Sequence, residues 1–129
     1  MNIYTVELKN QPGELAHLCE VLGGSGVNIE LGGATAGDRG TVFFTASDEQ
    51  ATAAALEGAG IEYAAHPALR VTCADRPGEA AGFARKLANA DLNVEWLLPI
   101  SICQGELVFA VSVDKVDMAR SALTGQVSG

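Results

Sequence analysis

Two stretches of this chain repeat one another 65 residues apart, and that repeat constrains the fold more than any other feature. Asn10-Gln11-Pro12-Gly13-Glu14 recurs as Asp75-Arg76-Pro77-Gly78-Glu79, and Val27-Asn28-Ile29-Glu30 recurs as Leu92-Asn93-Val94-Glu95. The apolar positions between them keep register. Leu15, Leu18, Cys19 and Leu22 map onto Ala80, Phe83, Ala84 and Leu87, the i, i+3, i+4, i+7 stripe of a helix lying on a core. The chain is one module written twice, with boundaries expected at 1–65 and 66–129.

Each repeat runs through the same elements. Tyr4, Val6 and Leu8 alternate with Ile3, Thr5 and Glu7, which predicts a strand with one core face; Leu69, Val71 and Cys73 are the equivalents. A helix is expected from Pro12 to about Leu22, and from Pro77 to about Asn89. Proline suits a first helical position because its missing N–H would have no intrahelical partner there. Glu14 and Glu79 would then stand third, where a carboxylate favours the helix start. The run Gly23-Gly24-Ser25-Gly26 stops the first helix, and Ala90-Asp91 the second.

A hairpin follows in each half. Val27 to Thr35 and Thr41 to Ser47 flank the turn signal Gly37-Asp38-Arg39-Gly40, and Leu92 to Ile102 and Glu106 to Ser112 flank Gln104-Gly105. Second helices are expected from Asp48 to about Glu57 and from Asp114 to about Leu123, each with an acid at its start. Ile61 to Ala65 closes the first repeat. The chain ends where the second closing strand would begin, so that strand is expected to be short or missing. The unit is βαββαβ, the ferredoxin-like α+β plait with both helices on one face of an antiparallel sheet. Two plaits side by side in one chain suggest a continuous eight-stranded sheet, and the bare faces and open edges favour a homodimer.

Charge and composition exclude several classes. The net charge of −8 is uneven: residues 1–65 hold nine acids against two bases, and residues 66–129 hold seven against six. Neither half offers a basic face for a phosphate backbone, so nucleic acid is not an expected partner. No apolar run reaches the roughly 20 residues of a membrane helix. Met1-Asn2-Ile3-Tyr4 enters a strand pattern without a basic stretch or cleavage site, so the cytoplasm is the expected compartment and no membrane the expected partner. Cys19, Cys73 and Cys103 form no CxxC pair and keep no ligand spacing with His17 or His66, so neither metal nor cofactor is expected. Cys19 and Cys73 read as small buried hydrophobes. The glycines of 23–26 follow a helix and precede a strand, the reverse of a phosphate loop. His17 has no nucleophile or carboxylate pair around it, and the chain is not expected to be an enzyme.

The motif pair then carries a specific resemblance. A strand ending in Asn/Asp-x-Pro-Gly-Glu, an apolar helix, a small-residue turn and Val-Asn-Ile resembles an ACT domain. Here those features are Asn10 to Glu14 with Val27-Asn28-Ile29, and Asp75 to Glu79 with Leu92-Asn93-Val94. The resemblance covers 2–65 and 67–127 and implies regulatory modules that bind a free amino acid and control metabolic enzymes. In serine-regulated members, the loop asparagine and the strand asparagine of opposite modules contact the effector. That implies Asn10 with Asn93, and Asp75 with Asn28. Those members also carry a histidine two residues before the loop asparagine. Leu8 and Cys73 stand at that place, which counts against serine and leaves the effector open.

The residues themselves offer compatible chemistry. With Pro12 opening the helix, the amides of Gly13, Glu14 and Leu15 would form a small anion site, and Gly78 would serve the second loop alike. A carboxamide such as Asn10 presents donor and acceptor, which suits a zwitterion. Asp75 would repel a carboxylate, with Arg76 placed to offset it. The structural alternative for Asn10 and Asp75 is capping or turn formation, and for Asn28 and Asn93 a bend of the chain. Glu30 and Glu95 read as solvated or interfacial. Gly32-Gly33 suggests a bulge or close backbone approach, or clearance for a ligand. Trp96, in phase with Leu92 and Val94, reads as core. A second function fits the same features: an interaction module docking on an amino-acid-metabolism enzyme without an effector of its own.

Overall fold

Strand passes to helix through the same backbone path in both repeats. Pro12-Gly13 and Pro77-Gly78 occupy the middle of a turn closed by the amide of Glu14 on the Gln11 carbonyl (3.4 Å) and of Glu79 on the Arg76 carbonyl (3.3 Å). Gly13 and Gly78 are left-handed, at φ of 92° and 91°. Proline second and left-handed glycine third is the arrangement of a type II turn. The helices α1 (Glu14–Gly24) and α3 (Glu79–Asn89) therefore begin two residues later than a helix-opening proline implies. Glu14 and Glu79 are first, not third, in their helices.

The computed structural model describes residues 1–128. It divides into two compact units, Asn2–His66 and Met1 together with the residues from Pro67 onward. The first holds β1 (Asn2–Lys9), α1, β2 (Ile29–Ala36), β3 (Arg39–Ala46), α2 (Glu49–Gly58) and β4 (Ala64–Pro67). The second repeats this as β5 (Leu69–Ala74), α3, β6 (Val94–Cys103), β7 (Glu106–Val113), α4 (Val116–Ala122) and β8 (Val127–Ser128). Two four-stranded sheets result, ordered β2-β3-β1-β4 and β6-β7-β5-β8, so the ladders are two of four strands and not one of eight. The strand β8 is two residues long.

Backbone chemistry sets the ends. After α1, Gly26 turns left-handed while the amides of Gly26 and Val27 bond the carbonyls of Gly23 and Leu22. After α3, Asp91 does the same at φ 58°, with Asp91 and Leu92 bonding Ala88 and Leu87. Both are Schellman stops. A third, at Gly60 and Ile61 after α2, precedes a closing strand that starts at Ala64 and takes in His66 and Pro67. Asp48 caps α2 by accepting from the Ala51 amide (2.9 Å). Asp114 caps nothing; its carboxylate accepts from the Asn93 amide (3.1 Å), and α4 starts two residues later.

The cores lie between sheet and helices. In the first unit Tyr4, Val6, Leu18, Leu22, Val42, Phe44 and Leu56 are buried together; in the second, Leu69, Val71, Phe83, Leu87, Val111 and Leu123. Of the expected stripes only the pairs Leu18/Leu22 and Phe83/Leu87 are fully buried; Leu15 is 45% exposed and Cys19 half-buried. Ile3 and Thr45 of the first sheet, and Leu98, Ala110 and Ser112 of the second, alternate onto the face away from the helices. In β6, register shifts insert Glu95 and Ile100 as extra residues. Trp96 pairs with Ser112 and leaves the helix-side core that alternation assigns it. Asn28 and Asn93 precede their strands, and each is tied by its backbone to the start of the following helix, at Ser47 and Asp114.

Tyr4 stacks on Phe44 with centroids 5.4 Å apart, and its hydroxyl donates to Glu49 Oε2 (3.2 Å). Burial first, and the Glu49 charge second, push its pKa from 10 up to about 12. The folded chain keeps this proton longer than the unfolded chain does. The stabilisation is complete below pH 10 and is lost as pH rises to about 12. Urea midpoints measured across that range should fall in the wild type, and fall less steeply in Tyr4→Phe.

Candidate functional site

The strand-to-helix loop of the first unit is held by its own hairpin. The Asn10 amide bonds the Asp38 carbonyl (2.8 Å), and Asn10 Nδ2 donates to the Gly37 carbonyl (3.0 Å). Asn10 is therefore a brace between loop and hairpin turn, neither an N-cap nor a freely hanging carboxamide. Its Oδ1 takes no hydrogen bond among the described residues. In the second unit the Asp75 amide makes the matching bond to Gly105 (2.8 Å), but a carboxylate has no donor to repeat the side-chain contact.

The helix-start amides differ from those expected. Glu14 spends its amide on the turn, and His17 bonds Gly13, which leaves Leu15 and Ala16 without acceptors among the described residues. The available set is Gly13, Leu15 and Ala16. In the second unit Arg76 Nε pairs with Glu79 Oε1 at 2.7 Å, so its charge is directed at Glu79, not at Asp75. Gln11 stands where Arg76 does, and Glu14 has no ion-pair partner among the described residues. Asn28 and Asn93 are exposed. Glu30 accepts from Thr45 Oγ1 (2.9 Å).

The loop borders a cleft of about 450 Å³, lined by Asn10, Gln11, Glu14 and Leu15 on one side and by Leu31, Gly32, Gly33 and Ala34 of β2 on the other. Pairing places Leu31 opposite Phe44, Gly33 opposite Val42 and Leu8 opposite Gly40, all on the helix side of the sheet. Gly33 and Gly40 thus leave the sheet without side chains under the first turn of α1. A Cβ on Gly33 would sit 3.2 Å from the Thr41 carbonyl, so this glycine marks a close backbone approach. No bulge interrupts β2.

The corresponding pairs of the second unit are filled. Pro99 pairs with Phe109, and Leu107 with Cys73. Phe109 stacks on Phe83 at 5.8 Å between centroids. Glycine, glycine and valine in one module are proline, leucine and phenylalanine in the other. The cue in the sequence was Gly32-Gly33 facing Leu97-Leu98, but only the strand register turns it into a hollow.

Other candidates resolve simply. Cys73 is buried, its thiol pushed up by burial, with Gln126 Nε2 3.6 Å away; Cys103 is exposed beside the second hairpin turn. No helix among the described residues is long and apolar enough to cross a membrane.

Left-handed glycine admits a Cβ only with strain. Gly13→Ala and Gly78→Ala have open space around them but the wrong φ, so each should cost about 1–2 kcal/mol in urea unfolding. A neutral result at either position would contradict the turn described above.

No family model matches the sequence, and neither does any curated protein sequence. Solved structures do match. A protein of Bacteroides thetaiotaomicron superposes with a TM-score of 0.88 at 18% identity, over 98% of this chain and 90% of that one. The regulatory subunit of aspartate kinase from Thermus thermophilus gives 0.70 at 20% identity, and that from Thermus flavus 0.68 at 19%. Each of those two alignments covers 95% of this chain and 86% of the other. Repeat and topology agree with these superpositions: the chain shares their fold, two βαββαβ modules in tandem.

Proposed function

We propose that this protein is a regulatory module that senses a free amino acid, held at the Asn10–Leu15 loop of its first unit. The observation that carries the reading is the cleft bounded by that loop and the glycines of β2. Its rim offers acceptors and donors of the kind a zwitterion needs. Glu14 is a carboxylate without an ion-pair partner among the described residues, the Oδ1 of Asn10 is uncommitted, and the amides of Leu15 and Ala16 lack acceptors. Anions are favoured at such amides by the helix dipole. Regulatory subunits of aspartate kinase share the fold, which supports a partner enzyme of amino-acid metabolism. The second loop is the weaker site, with Asp75 opposing a carboxylate and Arg76 committed to Glu79.

A thermal-shift screen of the twenty amino acids tests this directly. A ligand at 100 times its Kd should stabilise the fold by about 2.7 kcal/mol, and no shift with any of them would favour an interaction module without effector. Asn10→Ala should weaken binding roughly ten- to hundredfold, from the loss of one hydrogen bond to a charged group worth about 1.5–3 kcal/mol. The motif resemblance makes Asn93 its counterpart. If both touch one molecule, the double variant Asn10→Ala/Asn93→Ala should lose less than the sum of the singles. Asp75→Ala should matter less than either.

A further inference from the structure

The hollow of the first unit has a chemistry of its own, and it differs from its twin at Gly33, Gly40 and Val42, where the second unit has Pro99, Leu107 and Phe109. Its walls are Leu8, Leu15, Leu31 and Val42. Leu15 and Leu31 remain 45% and 42% exposed. Thr41 Oγ1 is turned to the opposite face, where it donates to Glu7 (2.7 Å), and Thr35, opposite Gly40, is the hydroxyl residue on the hollow's side of the sheet. Charge is confined to the rim, at Lys9 and Glu14.

Resting on the amino-acid reading above, we propose that this hollow takes the apolar side chain of the effector, and that the second unit has no equivalent, so that one amino acid binds per chain. Rim and floor divide the ligand between them. Glu14 and the helix-start amides match the ammonium and carboxylate common to all amino acids. Leucine and valine side chains make up most of the wall and favour an apolar group over a carboxylate or ammonium at the far end, which would lose water without gaining a charged partner. A volume of about 450 Å³ admits a whole amino acid, so chemistry and not size makes the choice. In the second unit the same place holds Pro99, Leu107 and Phe109, and Arg76 neutralises the carboxylate that corresponds to Glu14.

Isothermal titration of the full chain with leucine, methionine and phenylalanine, against serine, aspartate and lysine, tests this. Binding of the apolar set at least tenfold more tightly, with a stoichiometry of one per chain, is expected. Two variants copy the filled twin into the hollow: Val42→Phe and Gly40→Leu should each lower affinity more than tenfold. Gly40→Ala, whose Cβ finds only ordinary contacts of 3.6 to 3.9 Å, should keep most of it. Circular dichroism checks that each variant folds. Should the filling variants fail to fold, Glu14→Gln retains the hollow and should still lose affinity more than tenfold. Preferential binding of serine, aspartate or lysine would overturn the apolar assignment while leaving the amino-acid reading in place. Two ligands per chain would overturn the single site, and no binding by any amino acid would overturn the amino-acid reading itself.

Discussion

Each half of this protein depends on one backbone conformation, the left-handed glycine that follows proline at the end of the first strand. Gly13 and Gly78 reverse the chain within a single turn, so that the helix leaves close to the strand that feeds it. That turn does three things at once. It consumes the Glu14 or Glu79 amide, fixes the helix start at the glutamate, and holds the preceding Asx residue where its amide reaches the hairpin turn. Loop, helix start and hairpin are thereby locked into one unit by backbone bonds that any residue types could make. Side chains are left free to diverge.

Much of this was legible because the module is written twice. The repeat fixed the order of elements, and the alternation of Tyr4, Val6 and Leu8 and the spacing of Leu18 and Leu22 chose the faces. Three failures have one cause, which is that pattern cannot see backbone detail. Pro12 reads as a helix opener until a left-handed glycine behind it makes a turn. Trp96 keeps phase with Val94 until Glu95 is inserted as an extra residue and flips the next residues to the other face. Leu15 completes a helical stripe, yet the first turn carries it out beside β2. Asn10 was legible as important, but its brace to Gly37 belongs to neither capping nor free ligand contact.

Divergence between the halves is concentrated on one side. At the loop, lysine, asparagine and glutamine (Lys9, Asn10, Gln11) stand against alanine, aspartate and arginine (Ala74, Asp75, Arg76). On the sheet, Gly33, Gly40 and Val42 stand against Pro99, Leu107 and Phe109. The buried pairs Leu18/Leu22 and Phe83/Leu87 meanwhile keep their roles. The loop and the adjoining sheet thus differ in side-chain chemistry between the halves while the helix anchors are retained.

The energetics point the same way. Full burial of a leucine is worth about 1.5–3 kcal/mol, so leaving Leu15 and Leu31 each close to half exposed forgoes roughly 1.5–3 kcal/mol in total. The second unit carries Phe109 at the matching place, stacked on Phe83, while its own Leu97 stays 40% exposed. Domains have net stabilities of about 5–15 kcal/mol, against which such a sum is not negligible. If the proposed effector covers Leu15 and Leu31, it recovers part of that free energy on binding, and the stability of the module is then coupled to the ligand.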